Sequence, residues 1–376
     1  MINRLGKAGA ERSLAAMVPH FVSAGVDVHI AFLVDERSVP APFERAGASV
    51  VSLAGRAGRL GQIHRLRQQI GTWRPDVIHT TLFDADLVGR CAGVTTGVPV
   101  VTSLVNVAYG PEQLANPDLR RWRLRSAQVA DAVSARSVRR FHAITAHVAA
   151  VMARRLRLRD DRIDVVPRGR EPAELGSRTP ERRARARERL GVAPDEQLVV
   201  AAARHEYQKG LDVLLEAFRG VVGRVPAARL LIAGRQGSQT ARLTATIEPE
   251  LADVISILGA RDDVHEILCA ADVFAFPSRW EGFGSVLLEA MALEAPIVAS
   301  DLGAVREVVH DEAEALLVPP GDVSRLAAAI ERTLEDRQGT EARARAARQR
   351  FSQHFTVERV VAEMLAFYER ALTRSV

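Results

Sequence analysis

The chain has 376 residues, room for two domains with separate cores, and 47% of them are hydrophobic, so it reads as globular. No run approaches the ~20 apolar residues of a membrane span, and "MINRLGKAGAERS" lacks the apolar core of a secretory leader, which makes the cytoplasm the expected location. A formal net charge of +5 leaves nucleic acid, an anionic membrane surface and a phosphorylated small molecule open as partners, while two isolated cysteines, Cys91 and Cys269, exclude a disulfide framework and a thiolate metal site.

Both cysteines sit in apolar helical surroundings and are expected to be reduced packing residues. Nearly every cation is Arg; only Lys7 and Lys209 are Lys, each in a glycine-flanked loop, which marks those two loops out.

In chain order, short β-rich runs alternate with helical patterns. Strands are expected at 26–33, 49–53, 76–79, 98–104, 141–145 and 163–166, and again at 197–203, 229–233, 253–258, 273–277, 296–299 and 315–318. That alternation predicts parallel sheets with crossover helices, hence an α/β protein of two doubly wound domains. The seam falls where "IDVVP" gives way to a polar, Gly- and Pro-containing stretch near Glu171, dividing the chain into 1–170 and 171–355. In 356–376, Val357, Val360, Val361, Met364, Leu365, Phe367, Tyr368 and Leu372 follow a helical period, so this helix is expected to cross back onto the first domain. The beginning departs from the pattern: the loop "RLGKAGAE" has only Met1 and Ile2 before Asn3, so the first strand is expected to be missing, truncated or encoded upstream.

In open parallel sheets ligands bind beyond the carboxyl ends of strands. Four stretches lie there. "GKAGAERS", Gly6 to Ser13, opens a helix but matches no phosphate-loop spacing. "AAARHEYQKGLDVLLEAF" brings Arg204, Lys209 and a helix start to one spot, a natural place for a diphosphate. "SRWEGFGSVLLEAMAL" places Glu281 in a glycine-rich loop and Glu289 on the following helix. "DLGAVREVV" carries Glu307.

These residues resemble a family. "AARHEYQKGLDVLLEAF", the block "LGARDDVHEILCAADVFAFPSRWEGFGSVLLEAMALEAPIVASDLGAVREVV" with seven residues between two glutamates, and "LLVPPGDVSRLAAAI" are similar to the retaining glycosyltransferases of family 4, which have the GT-B fold. "INRLGKAGAERSLA", "RPDVIHTTLFDADLVG" and "ITAHVAAVM" are looser matches in the first half.

The resemblance implies transfer of a sugar from a nucleotide diphosphate to an acceptor hydroxyl with retention, without cofactor or metal. It implies that Arg204 and Lys209 hold the diphosphate and stabilise the leaving phosphate. Glu281, with backbone amides around Gly282, Phe283, Gly284 and Ser285, would contact the donor sugar, and Glu289 the ribose hydroxyls. Gly9 would let the first-domain loop approach the phosphates or the acceptor, and Leu258 and Gly259 would border the base. Two departures stand out. Leu104, Val105 and Asn106 occupy the loop where many members carry a His, so no catalytic base is assigned; His79, a strand earlier, reads as a cleft residue or a structural one. The family's Asn-Gly after the last first-domain strand is Arg168 and Gly169 here, placing Arg168 and Arg170 at the hinge against an anionic ligand or an interdomain carboxylate.

Asp84 and Asp86 have a metal-binding spacing but follow a strand, so a helix-start role is expected. Arg120, Arg121, Trp122, Arg123 and Arg125 form either a solvated helix face or a peripheral contact with an anionic membrane serving a lipid-linked acceptor. A nucleotide-sugar 2-epimerase on the same fold is the alternative enzyme. Nucleic-acid binding would explain the charge but none of the ordered glycine loops.

Overall fold

In a computed structural model the described residues are 1–6, 9–36, 38–116 and 119–373; Lys7 lies outside them. The chain forms two compact units. Unit 1 comprises Met1–Leu114, Leu119–Glu171 and Phe355–Val376; unit 2 comprises Ala115–Asp118 and Pro172–His354. Among the described residues no helix is long and apolar enough to cross a membrane.

Unit 1 contains β1 (His29–Phe32), β2 (Ser49–Ser52), β3 (Ile78–Thr81), β4 (Val100–Leu104), β5 (Arg140–Ala143) and β6 (Ile163–Val165). Pairing is parallel, β1 with β2 and then β3-β4-β5-β6 in sequence order. The place between β1 and β3 is not vacant. Ile2 bridges Phe32 on one side and Thr81 on the other, with Ile2 N–H donating to Ala31 and Thr81 N–H donating to Met1. Ile2 thus bridges β1 and β3 as a single residue, too short to register as a β pattern. Ile2 and Leu5 are buried with Ile30 and Phe32 in one core cluster.

Unit 2 contains β7 (Gln197–Ala202), β8 (Ala228–Ala233), β9 (Ile255–Gly259), β10 (Val273–Phe276), β11 (Ile297–Ser300) and β12 (Leu316–Val318), all parallel in the order β12-β11-β10-β7-β8-β9. Every residue of β10 and β11 is buried, as expected where helices cover both faces of a parallel sheet. The helix Leu211–Arg224 sets Leu214, Phe218 and Val221 against Val199, Leu230 and Ile232.

The last helix, Val357–Leu372, belongs to unit 1. Val357, Val360, Val361, Met364 and Phe367 are buried with Phe21, Val101 and Val166. Leu372 departs from the expectation: it is exposed, because Ala371 provides the buried contact in the final turn. Cys91 is likewise exposed rather than packed, since Arg90 and Ala92 on either side of it take the inward face of their helix; Cys269 is buried and free. Asp84 and Asp86 occupy the first turn of the helix Phe83–Thr96, Asp84 paired with Arg59 and Asp86 beside the buried Arg90. Arg170 lies at the end of unit 1, where its side chain meets the helix Gly9–Ser23. It is buried, its Nη1 donating to Ser13 Oγ at 3.2 Å, and its backbone pairs with Thr356.

His79 is a structural residue. Its Nδ1 lies 2.7 Å from the Tyr368 hydroxyl and its Nε2 2.7 Å from Ser103 Oγ; Ser103 Oγ is 2.8 Å from His142 Nδ1, and His142 Nε2 is 2.8 Å from the Val166 carbonyl. Burial pushes His79 well below the usual histidine range and His142 down to about 4, so both rings are neutral in the fold. The unfolded chain therefore takes up these protons first as pH falls. Their stabilisation is complete above the ordinary value of 6.5 and is lost progressively toward pH 4, by about 3 kcal/mol for His142. Urea midpoints measured across this window should fall with acid, and less steeply in His142→Asn.

Candidate functional site

Unit 2 reverses its strand order between β7 and β10: the chain runs outward through β8 and β9, then returns to the other side of β7. The loops after β7 and β10 therefore leave neighbouring strands at their carboxyl ends, the switch point where such sheets bind ligands.

The two loops interlock. Gly210, at φ 62°, caps the helix Leu211–Arg224, and a Cβ there would lie 2.1 Å from the Pro277 carbonyl oxygen, so only glycine allows this approach. Arg279 N–H donates to the Gln208 carbonyl at 2.8 Å, and Gln208 Nε2 to the Trp280 carbonyl at 2.8 Å. Arg279 grips Asp212 bidentately at 2.8 and 2.7 Å and lies over the Tyr207 ring, 4.2 Å from its centroid. Burial alone would raise the Asp212 carboxyl, but the Arg279 guanidinium outweighs it and holds the group below its usual range.

Within this frame Lys209 Nζ forms an ion pair with Glu281 Oε1, and Ser278 Oγ donates to the same oxygen at 2.9 Å. Lys209 also lies over the Phe276 ring, 5.8 Å from its centroid. Side-chain exposures of 16% for Lys209 and 8% for Glu281 make this a largely desolvated pair. Arg204, just beyond β7, is exposed and among the described residues forms no ion pair or side-chain hydrogen bond.

Gly282 and the buried Phe283 continue the β10 loop, Gly284 caps the next helix in a left-handed conformation, and Ser285 begins that helix, Ser285–Ala292. Glu289 is buried on it, its carboxylate 3.6 Å from Nε2 of His265 on the helix Val264–Ala270. Leu258 and Gly259 end β9, where the Gly259 carbonyl accepts from Gly234 N–H. Gly9 opens the helix Gly9–Ser23 and belongs to unit 1.

Five supporting residues escaped the sequence reading: Gln208, Asp212, His265, Ser278 and Arg279. Asp212 and Arg279 carried a usable signal, lying three residues from Lys209 and two from Glu281; the other three act through contacts that only the fold creates. Among the described residues one group of three His, Asp or Glu side chains has ligand atoms within 4.8 Å of one another, His20, Glu171 and Glu358 in unit 1.

Residues 182–350 match the family described as Glycosyl transferases group 1, and residues 8–174 match Glycosyltransferase Family 4. The D-inositol 3-phosphate glycosyltransferase of Xylanimonas cellulosilytica is 31% identical over 322 residues, covering 80% of this chain and 73% of that protein. Its counterpart in Segniliparus rotundus is 31% identical over 267 residues, 67% of this chain and 57% of that protein, and the lipopolysaccharide core biosynthesis mannosyltransferase LpsB of Rhizobium meliloti is 29% identical over 191 residues, 49% and 54%. The matched region thus spans just over half the length of these last two relatives. In structure the chain is similar to Anabaena Alr3699/HepE in complex with UDP, with a TM-score of 0.83 and 21% identity over 98% of both chains. The fold is GT-B, and the chain belongs to the family 4 type of the group 1 glycosyltransferases.

Proposed function

We propose that the protein moves a sugar from a nucleotide diphosphate donor to an acceptor hydroxyl with retention at the anomeric carbon, in cell-surface polysaccharide, glycolipid or other glycoconjugate synthesis. The observation that carries this reading is the Lys209–Glu281 pair at the switch point of unit 2, with the exposed Arg204 in the same loop as Lys209. A diphosphate arriving there meets the exposed Arg204 guanidinium and an ammonium held in place by a carboxylate. As the bond from anomeric carbon to phosphate oxygen breaks, charge builds on the departing phosphate, and cations already oriented stabilise it without reorganising. In this reading Glu281 and the backbone from Gly282 to Ser285 meet the sugar, Glu289 accepts from the ribose hydroxyls, and the strand end at Leu258 and Gly259 borders the base. Arg204 and Lys209 supply the positive charge, so the reaction proceeds without metal. The similar Anabaena protein has been solved with UDP and with UDP-glucose, which supports a nucleotide-sugar donor.

A thermal-shift panel of UDP, GDP and ADP sugars tests the reading. One donor should raise the melting temperature, since a ligand at a hundred times its Kd stabilises the folded state by about 2.7 kcal/mol. Release of nucleoside diphosphate on adding acceptor, unchanged by EDTA, should follow. Rearrangement of the nucleotide sugar without acceptor would replace this reading with an epimerase, and a panel with no shift would remove the donor site.

A further inference from the structure

The helix Arg121–Ser134 of unit 1 has an exposed outer face that no element covers among the described residues. Trp122 and Val129 are each 63% exposed, Val133 is 56% exposed, and Leu119 just ahead of the helix is 41% exposed. At 3.6 residues per turn, Trp122, Ser126, Val129 and Val133 fall within an arc of about 60°. Arg121 and Arg125 flank that arc on one side and Arg123 on the other, all three exposed, with the Arg123 guanidinium 5.4 Å from the Trp122 ring centroid. Within the helix no carboxylate shares the face. The helix's one acid, Asp131, points inward, where it receives the buried Arg90 at 2.7 Å and the Tyr109 hydroxyl at 2.8 Å. That inward anchor fixes the rotation of the helix and keeps the apolar stripe turned to solvent.

We propose that this face is a docking surface for an anionic lipid bilayer, with the helix lying in the interface plane. The chemistry separates this partner from others. Nucleic acid would neutralise the arginines but leave Val129 and Val133 in water. An apolar protein groove would cover the valines and strand the guanidiniums. A bilayer satisfies both: Trp122 and the valines enter the acyl boundary, while arginines on both margins reach lipid phosphates. The inference is independent of the proposed sugar transfer.

Flotation of the full chain with phosphatidylglycerol/phosphatidylcholine vesicles tests it. Binding is expected to these and not to phosphatidylcholine alone, with a blue shift in tryptophan emission that Trp122→Phe removes. The triple variant R121E/R123E/R125E should lower partitioning at least tenfold, and V129S/V133S at least threefold, both with an unchanged melting temperature because every altered side chain is exposed. The proposal is overturned if phosphatidylglycerol confers no preference, if charge reversal leaves partitioning unchanged, or if duplex DNA captures the protein equally well with and without V129S/V133S.

Discussion

Lys209→Ala is expected to lower kcat for nucleoside diphosphate release by about a thousandfold, the scale seen when one preorganised group facing developing charge is removed. The change acts twice. It withdraws the ammonium from the departing phosphate, and it leaves the Glu281 carboxylate largely desolvated, with the Ser278 hydroxyl still donating to it. An uncompensated carboxylate at this position adds negative charge where a diphosphate must bind, so KM for the donor should rise as well. Arg204→Ala, which breaks no ion pair among the described residues, should reduce turnover with no change in melting temperature, whereas Lys209→Ala should also melt a few degrees lower. Near-normal turnover in Lys209→Ala would remove the lysine from the reaction.

Gly210→Ala is expected to destabilise unit 2 by at least about 3 kcal/mol and to abolish transfer. The left-handed backbone at φ 62° contributes about 1–2 kcal/mol of strain for any residue with a Cβ. The larger part is steric: with Pro277 O 2.1 Å from the new methyl, the β7 and β10 loops must move apart. Lys209 and Glu281 sit on opposite sides of that contact, so the ion pair separates with it. Gly191 supplies the control. Its φ is 63° and a Cβ there meets nothing within 4 Å, so Gly191→Ala should show the backbone strain alone. Equal losses in the two variants, read from urea unfolding, would show that the loop contact contributes nothing.

The strands were legible because parallel strands covered on both faces, such as "VFAF" and "IVAS", are continuous apolar runs in the sequence. The placement of Arg204, Lys209 and Glu281 in the loops after β7 and β10 was legible because each follows an apolar strand run directly, and strand-end loops are where such sheets hold ligands. The mutual pairing of Lys209 and Glu281 was not, since they are 72 residues apart and meet only because β10 returns beside β7. Ile2 was missed for a related reason: one bridging residue has no period to detect. Cys91 and Leu372 show the opposite failure, where an apolar neighbourhood on a helix did not specify which side a given residue faces.

The row of polar groups from Tyr368 to Val166 has a further consequence. A carbonyl can only accept, so His142 Nε2 carries the proton and its Nδ1 must receive the Ser103 hydroxyl hydrogen. Ser103 is then left to accept from His79 Nε2, and His79 Nδ1 to accept from Tyr368, whose phenol burial keeps protonated. One backbone oxygen thus sets the sense of four successive bonds, and their dipoles align head to tail. Aligned dipoles polarise one another, so this axis ties the last helix to β3, β4 and β5 as a unit whose worth exceeds the sum of its links.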